Sequence, residues 1–183
     1  ISSGKEVILL CSLVTLGEQD TLRITRNMKM ECVGTYPCTI QGGREQIILD
    51  GENITFVEFS GIVFAKSSQT SISIYTGTPN GSTAITFKGC VWNGITGTSA
   101  ISIDPVVYDA PSMGAGNIST THDFLGNRMV QVRRKKESNL KVDIHGCSFQ
   151  GNTVDRSIII QSSGVLTVTE TIFSGNEVND DLV

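Results

Sequence analysis

One short pattern recurs along this chain and limits its fold more than anything else in it. Val142, Ile144, Cys147 and Phe149 are apolar, most residues between them are polar, and Gly146 interrupts the alternation. Leu166, Val168, Thr171 and Phe173 follow the same layout. So do Ile85, Phe87, Cys90 and Trp92 around Gly89, and Val57, Phe59, Ile62 and Phe64 around Gly61. Period-two alternation puts one side-chain set on one face of a strand, and the glycine marks a bend between two strands. A third alternating pair follows three of the segments: Ile72 and Ile74, Ile101 and Ile103, Ile158 and Ile160. Starts at Val57, Ile85, Val142 and Leu166 lie 28, 57 and 24 residues apart. A period of roughly 20 to 30 residues therefore accommodates the set, with one insertion of about thirty residues in the middle gap.

A single copy of such a unit cannot bury its own apolar stripe. Stacked copies can, because each strand pairs with its equivalent one repeat later at about 4.8 Å, and like side chains form internal ladders. The expected fold is all-β: a right-handed parallel β-helix with three short strands per coil, about six coils and one long insertion. A β-sandwich also has short, evenly spaced strands. It gives no reason, however, for the same residue types to return at the same offsets. In the β-helix, Phe64, Trp92, Phe149 and Phe173 form an inward aromatic ladder, and Cys90 and Cys147 become ladder neighbours, as stacked thiols or a disulfide.

Residues 1–50 are less regular. Val7-Ile8-Leu9-Leu10 is expected to be a short buried strand, Leu22 with Ile24 and Met28 with Met30 alternate, and Ile47-Ile48-Leu49 is expected to be buried on both faces. Cys32 pairs with either Cys38 or Cys11; Gly34 and Pro37 let the intervening loop close on itself, which favours Cys32–Cys38. The 183 residues are expected to form one domain, 1–183, as a segment of a longer protein, with residues 104–140 as an insertion loop.

Charged residues make up only 17% of the chain and the net charge is −4, so there is no global electrostatic case for nucleic acid. No apolar run is long enough to span a bilayer, so no direct membrane insertion of this segment is expected. Three Asn-x-Ser/Thr sequons, at Asn53, Asn80 and Asn117, together with the Cys32/Cys38 pair, point to an extracellular, cell-surface or secretory-lumen setting and to N-glycosylation. The insertion holds the weak acid–base candidates His122, Asp123 and Arg128, of which His titrates near neutrality. It also holds the one charge run, Arg133-Arg134-Lys135-Lys136, whose guanidinium and ammonium groups suit an acidic polysaccharide or an acidic partner. Two histidines and no Cys-x₂-Cys leave no expected metal site, and no cofactor is expected.

With the repeats laid out, the chain resembles the pectin-lyase-like right-handed β-helix proteins. Phe149-Gln150-Gly151-Asn152 and Phe173-Ser174-Gly175-Asn176 are similar to the Phe-x-x-Asn coil motif of secreted β-helix adhesins and polymorphic surface proteins. Val7 to Cys11, Cys32 to Cys38 and Thr39 to Gly43 are similar to secreted algal β-helix proteins. The resemblance implies a fold that hosts lyases, hydrolases, adhesins and inert scaffolds alike. The lyases' clustered acidic residues and the hydrolases' Asn-x-Asp, paired-Asp, His and Arg-x-Lys run have no match here, so no catalytic residue carries over. The expected role is a non-enzymatic structural, adhesive or assembly module with a protein partner. A carbohydrate-active enzyme or polysaccharide-binding domain is the alternative.

Overall fold

The computed structural model describes residues 6–10, 12–34, 37–51, 53–76, 82–104 and 139–179. The described residues contain strands, turns and bends and no helix. Six successive repeats supply the strands. The first holds β1 (Glu6–Leu10), β2 (Leu13–Leu16) and β3 (Leu22–Ile24); the second, β4 (Met28–Cys32), β5 (Cys38–Gly42) and β6 (Ile47–Leu49); the third, β7 (Phe56–Ser60), β8 (Ile62–Ala65) and β9 (Thr70–Ile74). The fourth holds β10 (Thr83–Lys88), β11 (Val91–Asn93), β12 (Thr96–Gly97) and β13 (Ser99–Ile103). The fifth holds β14 (Leu140–His145), β15 (Ser148–Gln150), β16 (Thr153–Val154) and β17 (Ile159–Gln161), and the sixth, β18 (Val165–Thr169), β19 (Ile172–Ser174) and β20 (Glu177–Val178).

Every strand pairs in parallel with its equivalent in the adjacent repeat. Sheet A runs β1-β4-β7-β10-β14-β18, sheet B β2-β5-β8-β11-β15-β19, and sheet C β3-β6-β9-β13-β17. A short fourth sheet, D, runs β12-β16-β20, a strand position that the threefold alternation in the sequence does not announce. The register places like residues over like residues. On sheet A, Phe59 aligns with Phe87 and Phe87 with Ile144; on sheet B, Phe64, Trp92, Phe149 and Phe173 align in succession; on sheet C, Ile47, Ile72 and Ile101 do.

These columns make the core. Phe59 and Phe87 stack at 5.1 Å and 6°, and Trp92 and Phe149 at 4.6 Å and 8°. The two stacks meet edge to face, Phe87 against Trp92 at 5.4 Å and 70°. Each fully buried aromatic contributes about 1.5–3 kcal/mol by area, and each aromatic pair about 0.5–1.5 kcal/mol more. The sheet B ladder ends on Phe173, which stacks on Phe149 at 4.9 Å yet stays 50% exposed, because β19 is the outermost strand of its sheet.

Two local expectations are corrected. Val7 and Leu9 are exposed: β1 alternates rather than burying both faces, with only Ile8 and Leu10 turned toward the core, as the other strands of sheet A alternate. In the fifth repeat the aligned pair is Ile159 with Ile101, not Ile158 or Ile160, and Gln161 lies opposite Ile103. The amides of both Ala100 and Ile101 donate to the Ile158 carbonyl, and this doubled bond shifts the strand by one residue.

The bends share one geometry. Residues five apart adopt left-handed backbone conformations at Gly61 and Lys66, Gly89 and Gly94, Gly146 and Gly151, and Glu170 and Gly175. A side chain with a Cβ is strained there by about 1–2 kcal/mol, which explains the glycine recurrence and marks Lys66 and Glu170 as departures from it.

Candidate functional site

Residues that alternate with the core columns face outward, and the two longest sheets expose different chemistry. On sheet A, Lys29, Glu58, Thr86, Asp143 and Thr167 align in one row, and Glu31, Ser60, Lys88, His145 and Thr169 in the next. Stacking thereby brings charges from different repeats together. Lys29 Nζ lies 2.9 Å from Glu31 and 3.4 Å from Glu58, and Lys88 Nζ lies 2.8 Å from the other Glu58 oxygen. Lys141 pairs with Asp143 at 3.1 Å. His145 Nδ1 is 3.0 Å from Thr169 Oγ1, and its Nε2 is 3.6 Å from Glu170.

Glu58 is the most enclosed carboxylate of this ladder, with its side chain 14% exposed. Burial pushes its carboxyl up, but hydrogen bonds from Lys88 and Lys29 outweigh that and hold it below its ordinary range. The hydrogen bonds that Lys29 donates to Glu31 and Glu58 in turn raise its own pKa. Sugar-bond hydrolysis needs one carboxylic acid raised toward neutrality and a second carboxylate facing it. Glu58 moves the opposite way and spends both oxygens on lysines, so the arrangement is a charge ladder rather than an acid–base pair.

Sheet B carries no ionisable side chain on its outward rows. One row is Leu13, Thr39, Val63, Val91, Ser148 and Ile172; the other is Thr15, Gln41, Ala65, Asn93, Gln150 and Ser174. This face offers amide and hydroxyl groups at the rung spacing of about 4.8 Å beside a row that includes two valines.

Among the sequence-derived candidates, Cys32 and Cys38 form a disulfide with Cα atoms 5.4 Å apart. Asn53 lies in an exposed turn between β6 and β7. Cys11, Asn80, Asn117, His122, Asp123, Arg128 and Arg133 to Lys136 lie outside the described residues. Cys90 and Cys147 are reduced, buried and hydrogen-bonded across adjacent repeats, where the Cys90 N–H donates to Cys147 Sγ at 3.3 Å. No group of three or more His, Cys, Asp or Glu among the described residues is placed to hold a metal ion.

The sequence pattern marks Asn152 and Asn176 only as turn residues, and this misses their part in the interior. Asn152 is fully buried: its Oδ1 accepts from the Ile95 N–H at 2.9 Å and its Nδ2 donates to the Trp92 carbonyl at 3.1 Å. Asn176 repeats this one rung on, accepting from the Asn152 N–H and side chain and donating to the Phe149 carbonyl. Each follows a ladder aromatic by three residues, Asn152 after Phe149 and Asn176 after Phe173, whereas Ser67 and Ile95 stand at that spacing after Phe64 and Trp92. Gln46 plays a similar part earlier, donating to the carbonyls of Ile40 and Ala65 and accepting from Ser71 Oγ at 2.6 Å. These amides satisfy backbone groups at corners, where no ladder partner is available.

No family model matches the chain, and neither a curated protein nor a solved structure matches it.

Proposed function

We propose that the stacked parallel sheets are the windings of a right-handed parallel β-helix of the pectin-lyase-like kind, and that the protein is a non-enzymatic structural, adhesive or assembly module at the cell surface or in the secretory lumen. The parallel pairing of each strand with its equivalent in the next repeat supports the winding, and the strong right-handed preference of parallel crossovers supports its hand. The role is tested at the sixth repeat. There β18, β19 and β20 are edge strands, and Val165, Ile172, Phe173 and Val178 are exposed, Ile172 to 63% and Phe173 to 50%. Their equivalents one repeat earlier are Lys141, Ser148, Phe149 and Val154, of which the last two are fully buried. Edge strands pair readily with further strands, and the variant below tests whether a second copy supplies them. On sheet A, the two lysines that pair with Glu58 and hold its carboxyl low favour a scaffold role for this ladder.

Light scattering across a concentration series tests the role, beside a variant carrying Ile172→Lys and Phe173→Asp. Association of the parent that the variant loses supports an assembly module. A parent that stays monomeric at all concentrations and matches the variant refutes self-assembly through this edge. The setting is tested by expression through a eukaryotic secretory pathway: an Asn53→Gln chain should lose one deglycosylation-sensitive mobility step.

Polysaccharide binding is the second reading, favoured by the uncharged amide rows of sheet B and the basic run Arg133 to Lys136. A glycan array separates the two arms. Binding to neutral glycans that Gln150→Ala weakens points to sheet B. Binding to acidic glycans, lost when the four basic residues are neutralised, points to the basic run.

A further inference from the structure

The fourth and fifth repeats are separated in sequence by residues 104–139, yet they stack as neighbours through β10 and β14. Cys90 and Cys147 occupy the same place at the bends that follow these strands. The flanking pairs Lys88 with His145 and Val91 with Ser148 set the two cysteines one rung apart. One rung is about 4.8 Å, inside the Cα separation of roughly 4.4–6.8 Å that a disulfide bridges. The column already accommodates a half-cystine, since Cys38 aligns with Ile62, which lies one rung before Cys90. We propose that Cys90 and Cys147 are an oxidisable pair, which a small peroxide converts into a cross-rung disulfide joining the fourth and fifth repeats.

The two thiols have different environments. Cys147 is 3% exposed, so of the two sulfurs it lies nearer solvent. Cys90 is fully buried, and its thiol donates toward the Phe59 and Lys88 carbonyls at 3.6 Å. The hydrogen bond from Cys90 holds the Cys147 thiol below its ordinary range; that same bond, together with burial, pushes Cys90 well up. Cys147, the sulfur nearer solvent, is the one that meets peroxide, and Cys90 is the resolving thiol. The Cys147 thiolate attacks one peroxide oxygen and breaks the O–O bond, leaving Cys147 sulfenic acid and hydroxide. The Cys90 sulfur then attacks the Cys147 sulfur, the S–S bond forms, and the sulfenic hydroxyl leaves with the Cys90 proton as water, while the hydroxide takes up the proton that Cys147 gave up on ionising. Two thiols lose two electrons, and one peroxide is reduced to two waters.

The test treats the folded protein with hydrogen peroxide in the presence of dimedone, which traps sulfenic acids, followed by non-reducing peptide mapping. The parent should lose two hydrogens in mass, link the peptides holding Cys90 and Cys147, and give no dimedone adduct. Cys90→Ser should instead trap dimedone at Cys147. A rise in the urea midpoint of the peroxide-treated parent, reversed by dithiothreitol, reports the same cross-link without any substitution. Equal dimedone trapping in parent and variant, linkage of Cys147 to Cys11, Cys32 or Cys38, or oxidation only after unfolding would each overturn the proposal.

Discussion

Phe149 and Phe173 carry the same side chain in the same column, and truncation should affect them differently. Phe149 is stacked on both faces, by Trp92 and Phe173, and is fully buried. Phe149→Ala should cost about 3–5 kcal/mol in a urea titration, through lost transfer energy and a cavity. Phe173→Ala removes a ring stacked on one face and half in water, and should cost less than about half as much. Equal losses would contradict the ladder. At the bends, Lys66 has φ of +57°, so Lys66→Gly should stabilise the chain by up to about 1 kcal/mol. Gly146→Ala has room for its Cβ and should cost only the backbone strain of about 1–2 kcal/mol, whereas Gly97→Ala would also drive its Cβ to 2.5 Å from the Ser68 carbonyl oxygen and should cost more. The aromatic column is legible in the sequence because it repeats. The burial of Asn152 is not, because an Asn after a Gly satisfies turn chemistry whether it faces water or the interior.

At the level of the sheets, Glu58 ties three strands together through Lys29 on β4 and Lys88 on β10. Its carboxyl is lowered in the folded chain, so its contribution is complete above the ordinary carboxyl pKa and is lost as pH falls through the folded value. Lys29 is raised, so its share is complete below the ordinary lysine value and fades as pH climbs through the folded one. Glu58→Gln should therefore lower stability by about 1 kcal/mol at pH 7 and leave it nearly unchanged near pH 3. Urea midpoints of parent and variant at both pH values check this, and a gap that persists at low pH would remove the ion pairs from the account. Period-two alternation assigns these residues outward positions. It does not say which repeat lies beside which, and a cross-strand ion pair exists only once the register is set. The same gap accounts for β17: Ile158, Ile159 and Ile160 are three consecutive isoleucines, and the alternation rule has no means of choosing among them.

For the molecule as a whole, stability that comes from contacts between neighbouring repeats should fall toward the ends of the stack. Amides of β8, β9, β10 and β11 have paired strands on both sides, while those of β18 and β19 have them on one. Hydrogen exchange should show the strongest protection in the central repeats and fraying in the sixth, and uniform protection would argue against stack-like energetics. The chain's own order of residues settles that it is all-β, that its apolar ladders return at equivalent positions, and that Cys32 and Cys38 lie close enough to pair. Those properties follow from side-chain period and short-range geometry, which are local. The fourth sheet, the burial of Asn152 and the charge ladder around Glu58 depend on contacts between residues 24 to 60 positions apart. Such contacts arise only when one repeat settles on the next in a particular register, and that register follows from the packing of the whole interior.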